Sequence, residues 1–128
     1  MRPGARAFIA LNLLSLDRGE EALAEVLLEP AEWARCFALA IIQDTAGRRS
    51  ESDVALQALL DRWSNAAAYQ IADVYAVRMD ADRTFEWLER AHDQHDAGVA
   101  WARVDPYLRW LHVDPRWGAF LRKMGRAD

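Results

Sequence analysis

One stretch restricts the fold of this chain more than any other: Ala66 to Asp96, AAAYQIADVYAVRMDADRTFEWLERAHDQHD. Its first half places Tyr69, Ile71, Ala72, Tyr75 and Ala76 at spacings of three and four, one face of a 3.6-residue period. After a turn near Met79-Asp80-Ala81, the second half sets Phe85, Leu88 and Ala91 on one face with Trp87 beside them. Glu86, Glu89 and Arg90 are left for solvent. A helix pair this short cannot bury its own apolar stripe, so it must stack on neighbours, and that is the logic of a helical repeat.

The same arrangement recurs upstream. Ala7 to Leu16 reads as an apolar helix, Asp17-Arg18-Gly19 as a break, and Glu20 to Leu28 as a second helix with acidic residues in its first turn, where the helix dipole favours them. Glu29-Pro30 closes that pair, and the proline suits the first position of the next helix. Ala31 to Ala46 is the third helix, stopped by Gly47, which accepts positive φ without strain. Ser50 or a neighbour opens a fourth helix that runs to about Trp63, and Ser64-Asn65 is expected to cap the fifth.

Laid on one another, the three pairs bring Ala10, Ala40 and Ala72 into register at offsets of 30 and 32 residues, each preceded by Ile9, Leu39 or Ile71. Twelve residues beyond each alanine stands another small side chain, Ala22, Ser52 or Thr84, and four further on lie Val26, Leu56 and Leu88. The turn residues Asp17, Gly47 and Met79 also coincide. Two antiparallel helices that cross closely need a small residue on both surfaces, with a larger apolar one a turn away to fill the groove. An irregular helical bundle with chance alanine spacing is the alternative.

This spacing resembles the tetratricopeptide repeat, whose pattern here is Ile71-Ala72, then Tyr75, Thr84, Leu88 and Ala91. The second copy matches at Leu39-Ala40, Ser52 and Leu56, with Gln43 where an aromatic is common. The first matches at Ile9-Ala10, Leu13, Ala22 and Val26. The repeats are shorter than the usual ~34 residues, and the late proline is missing from copies two and three. The tail extends the likeness: Trp101-Ala102-Arg103-Val104-Asp105-Pro106, Asp114-Pro115-Arg116-Trp117 and Phe120 to Gly125 look like the ending of repeat regions in many bacterial regulators. The resemblance implies an all-α fold, three antiparallel helix pairs stacked as a short right-handed solenoid and followed by short C-terminal capping helices. A single domain over 1–128 is expected, with repeats at about 5–29, 31–63 and 66–96 and a cap at 97–125. Asp105 and Asp114, each before a proline, read as helix N-caps rather than catalytic acids.

Composition narrows the function. A formal charge of −4, with no basic run beyond Arg48-Arg49 and Arg122-Lys123, argues against direct nucleic-acid binding. No run approaches the ~18 apolar residues of a membrane span. Arg2 and Arg6 before Ala7-Phe8-Ile9-Ala10-Leu11 could open a signal peptide, yet Asn12, Asp17, Arg18, Glu20 and Glu21 interrupt it, and the same residues fit the repeat register. The lone Cys36 lies on an apolar helix face, as a buried inert thiol in a reducing, cytoplasmic compartment. Phosphate loops, nucleophile elbows and paired cysteines are absent, so neither enzyme activity nor a cofactor is expected. Six tryptophans suggest a binding surface, although packing accounts for Trp33, Trp87, Trp110 and Trp117.

In the repeat family the first helix of each pair lines a concave groove. The resemblance therefore points to Ala7 and Leu11, then Phe37, Ile41 and Asp44, then Tyr69, Asp73, Ala76 and Val77 as a surface for a peptide or protein segment with apolar anchors and a basic flank. A second reading is a homodimerising scaffold. Phe8, Leu11, Leu14 and the Leu23-to-Leu28 helix would leave an apolar end that a second copy covers. A third is a metal-dependent enzyme built on His92, His95 and Asp96, against which stands the missing third ordered ligand; the solvated end of a helix is the plainer account. His112 reads as a surface or hydrogen-bonded residue rather than a base.

Overall fold

Seven α-helices and two 3-10 helices make up residues 2–126, the part that the computed structural model describes, and no strand occurs among them. In order they are α1 (Ala5–Ser15), α2 (Gly19–Val26), α3 (Glu32–Thr45), α4 (Arg49–Trp63), α5 (Ala68–Val77), α6 (Ala81–Asp93), the 3-10 helices η1 (Ala97–Trp101) and η2 (Pro106–Val113), and α7 (Pro115–Arg126). No helix among the described residues is long and apolar enough to cross a membrane.

The three inter-helix turns that coincide in sequence have one geometry. Asp17, Gly47 and Met79 take left-handed φ values of 62°, 79° and 62°. In each case the residue after the turn donates its N–H across it, Arg18 to the Leu13 carbonyl, Arg48 to Gln43 and Asp80 to Tyr75, at 3.0, 2.8 and 3.0 Å. The turn residue itself bonds back to Leu14, Asp44 or Ala76, each at 3.0 Å. This double bond pattern satisfies the last carbonyls of the helix. The end of α6 repeats it, with His95 at φ 56° and Asp96 donating to the Ala91 carbonyl.

The chain divides into two compact units, Met1–Ser64 and Asn65–Asp128. In the first, α1 pairs with α2 and α3 with α4, and α3 packs against both helices of the first pair. Ala10, Ala22, Val26, Ala40 and Ser52 are all fully buried at the crossings. The Ser52 hydroxyl donates to the Ala40 carbonyl at 2.7 Å, so the coincidence of small residues is a direct contact. The start of α3 is joined to the end of α4 through Glu32, which accepts from Arg62 and from the Trp63 indole.

Glu29 holds the other end of the first pair. Its carboxylate is buried and accepts the N–H groups of Gly4 (3.1 Å), Ala7 (3.0 Å) and Ala31 (2.9 Å). It thus closes the open amides at the start of α1 and fixes the backbone that leads into α3. Burial pushes this carboxyl up, but the N–H donors of Ala31, Ala7, Gly4 and Arg6 together outweigh it and leave it below its ordinary value.

In the second unit α5 pairs with α6, η1 and η2 pack on that pair, and α7 packs on α6 and η2. Ile71, Ala72, Val74, Thr84, Leu88, Ala91, Leu108, Leu111 and Phe120 form the core. Asp105 and Asp114 cap their helices as expected, accepting from the N–H groups of Tyr107 and Arg116. Arg116 also reaches Asp82 at 2.7 Å and lies over the Phe85 ring, while Lys123 bridges Glu89 and Asp93, so α7 is pinned to α6 at two points. Ser64-Asn65 does not cap α5. The Ser64 hydroxyl turns back to the Leu60 carbonyl, and the carboxylate of Asp96 accepts from Tyr69 N–H at 3.2 Å instead.

Candidate functional site

The most unusual chemistry lies on α5 beneath η2. Tyr69 and Asp73 stand one turn apart on α5, and Asp105 caps η2 against them. The Tyr69 hydroxyl donates to Asp105 Oδ2 at 2.6 Å, while Asp105 Oδ1 accepts the Tyr107 N–H at 2.9 Å. Asp73 is 5% exposed and Asp105 3%, and the two carboxyl groups are hydrogen-bonded to each other. Burial first, and then the bond to and charge of Asp105, hold the Asp73 carboxyl well above the usual carboxylate range. Asp73 is thereby favoured as the proton-bearing member of the pair, while Asp105 also accepts from the Tyr69 hydroxyl and the Tyr107 N–H. Burial, joined by the charges of Asp73 and Asp105, raises the Tyr107 phenol to about 12; Tyr69 is pushed up by the same causes. Asp73 Oδ1 is buried with no partner among the described residues.

Trp110 completes the contact by donating its indole N–H to the Ala76 carbonyl at 3.1 Å. The α5 face expected to line a groove is thus occupied by the chain's own tail. Tyr69, Asp73 and Ala76 are buried, and Val77 is half-buried. In the first unit Phe37 and Ile41 are buried with Ala7 and Leu11, while Asp44 is paired with Arg49 at 2.7 Å. Of the expected groove residues, only Val77 and Asp44 retain partial exposure.

The residues expected at a self-associating end separate likewise. Leu11 is core and Leu14 is half-buried, bordering a cleft of about 330 Å³ with Ile42 and Arg48, whereas Phe8 is 51% exposed. Ile9 (40%), Leu27 and Leu28 (60% each) join it. Glu29, next in sequence to Leu28, bonds the N–H of Ala7, next to Phe8, so these four side chains belong to the same end of the α1–α2 pair. Ile9 was read as a repeat position. Of the matching residues, Leu39 is half-buried and Ile71 fully buried.

His92, His95 and Asp96 line one cleft of about 450 Å³ with Val99, Ala100, Arg103, Met124 and Gly125. Asp96 has both oxygens engaged, one by Tyr69 N–H and the other by Gly98 N–H at 2.8 Å. No three His, Cys, Asp or Glu side chains among the described residues converge as a metal site would require. Both α6 and α7 end at this cleft, so their partly negative termini oppose the Arg103 guanidinium and select no one charge of ligand. His112 stacks on Trp117 with ring centroids 4.4 Å apart. Burial raises the Cys36 thiol, in keeping with an inert side chain.

No family model, curated protein or solved structure matches this chain.

Proposed function

We propose that this chain is a non-catalytic protein-interaction module built of tetratricopeptide-like helix pairs, and that it engages its partner, a second copy, through the apolar end of its first pair. One observation carries the reading: Phe8, Ile9, Leu27 and Leu28 are exposed together at the end that Glu29 ties closed. Scattered single apolar residues on a surface are ordinary, but four at one end of a helix pair make the kind of surface a partner covers. The shared turn geometry at Asp17, Gly47 and Met79 supports the repeat. The alternative of a peptide in the groove has less support, because Tyr69, Asp73 and Ala76 are already in use beneath η2.

The test is solution mass by light scattering across a dilution series, for the natural chain and for Leu27→Asp/Leu28→Asp. Both leucines are exposed, so the double variant is expected to fold. The proposal expects a concentration-dependent dimer that the double variant abolishes. A monomer at every concentration, or a dimer indifferent to the substitutions, overturns the assignment of this surface.

A further inference from the structure

Among the described residues, the Asp73–Asp105 pair is built without a cation. Asp105 is the ionisable group that acts on Asp73. Around the pair, α5 contributes Tyr69 and η2 contributes Tyr107, both of them phenols that feel the two carboxyls. The chain leading into η1 contributes Asp96, whose oxygens are held by backbone N–H groups. Arg83 of α6 lies over the Tyr75 ring, 5.6 Å from its centroid, and is paired with Asp80. Two buried acids without a counter-ion are held together by the proton between them, and once that proton is gone the contact becomes a repulsion in a medium that screens it poorly.

We propose that η2 is latched onto α5 by the proton shared between Asp73 and Asp105, so that loss of this proton releases η2 and uncovers the α5 face bearing Tyr69 and Asp73. Asp105 is at once the N-cap of η2, the acceptor for Tyr69 and the partner of Asp73, so a displaced Asp105 undoes all three together. Leu108 and Leu111, fully buried, resist opening while the proton is in place. The unpartnered Oδ1 of Asp73 means that an ionised Asp73 finds no donor there. This inference stands apart from the surface assigned to the first helix pair.

The experiment is hydrogen exchange of the full chain at successive pH values, with η2 protection expressed relative to the intrinsic, base-catalysed rate at each pH. In the natural protein, η2 protection should fall about tenfold per pH unit over the range in which Asp73 is ionised in the opened chain and still protonated in the closed one, since one proton is then released on opening. In Asp73→Asn, which still donates to Asp105 but cannot ionise, that dependence should vanish. Equal slopes in both proteins, or a flat profile in the natural one, overturn the proposal. Should Asp73→Asn not fold, carboxyl carbon NMR of the natural protein decides. An Asp73 signal that remains that of the protonated acid at pH 7 sustains the latch; one that is already a carboxylate at pH 5 refutes it.

Discussion

Ser52 donates its hydroxyl to the carbonyl of Ala40 across the α3–α4 crossing, and both residues are fully buried. The contact joins two of the positions at which the three helix pairs coincide in sequence. Replacing Ser52 by Ala should cost about 1 kcal/mol, the ordinary net worth of one hydrogen bond. Ser52→Leu drives a branched side chain into the crossing and should cost several times more, as overpacking does. Urea denaturation of the two variants orders them; a leucine tolerated as well as the alanine would refute the close crossing.

Gly98 lies against Tyr69. A Cβ at position 98 would stand 2.7 Å from Tyr69 Cγ and 2.8 Å from its Cβ, at the root of a ring that the Asp105 bond holds in place. Gly98→Ala is expected to destabilise the protein by about 1–3 kcal/mol. Gly125→Ala, where a Cβ meets nothing, serves as the control and should be neutral or slightly stabilising. Thermal melts that fail to separate the two variants count against this packing.

Met79 occupies a left-handed turn that its counterpart Gly47 enters without strain. Its side chain is exposed, so Met79→Gly gives up little packing and should stabilise the chain by roughly 0.5 kcal/mol, the strain relieved less the freedom gained when unfolded. Gly47→Ala should do the reverse, by about 1 kcal/mol. The midpoint shifts of the two variants are therefore expected to have opposite signs.

Glu29 makes stability depend on acid. Its carboxyl lies below its ordinary value in the folded protein, so between the folded and unfolded values the unfolded chain binds more protons. The stabilisation it supplies is present above the unfolded value and is lost as pH falls through the folded one. Glu29→Gln should be destabilised by about 2 kcal/mol at pH 7, the scale of bonds to a charged acceptor. The gap to the natural protein should close on acidification, as urea midpoints at successive pH values would reveal. A gap that persists unchanged to pH 3 would contradict the role given to the charge.

Much of the helix pattern was readable from local signals. Apolar spacing located the first six helices to within a few residues, and Asp105-Pro106 and Asp114-Pro115 announced the starts of η2 and α7. The failures share a cause. Ser64-Asn65 looked like a cap by its chemistry, but the donor at Tyr69 is served by Asp96, which is 27 residues away. Tyr69 and Asp73 were assigned to an open face because periodicity shows which residues share a face and not what covers it. The cover, η2, lies more than thirty residues on. Glu29 carried only a weak signal, an acid beside a proline between two helices, and its burial depends on amides that no local pattern brings together. Ile9, Leu27 and Leu28 fit the apolar pattern and are nonetheless exposed, because such a pattern marks a shared face and not what packs on it.

The carboxylate of Glu29 has a consequence for the order in which the chain can take shape. The amides that open α1 wait for a group lying beyond the end of α2, and the same group bonds the residue just before α3. A fragment ending at Leu28 contains both helices of the first pair and still lacks what starts the first of them. During synthesis, α1 is thus finished only when α3 is about to begin, and the pair gains its full stability as part of the unit it belongs to.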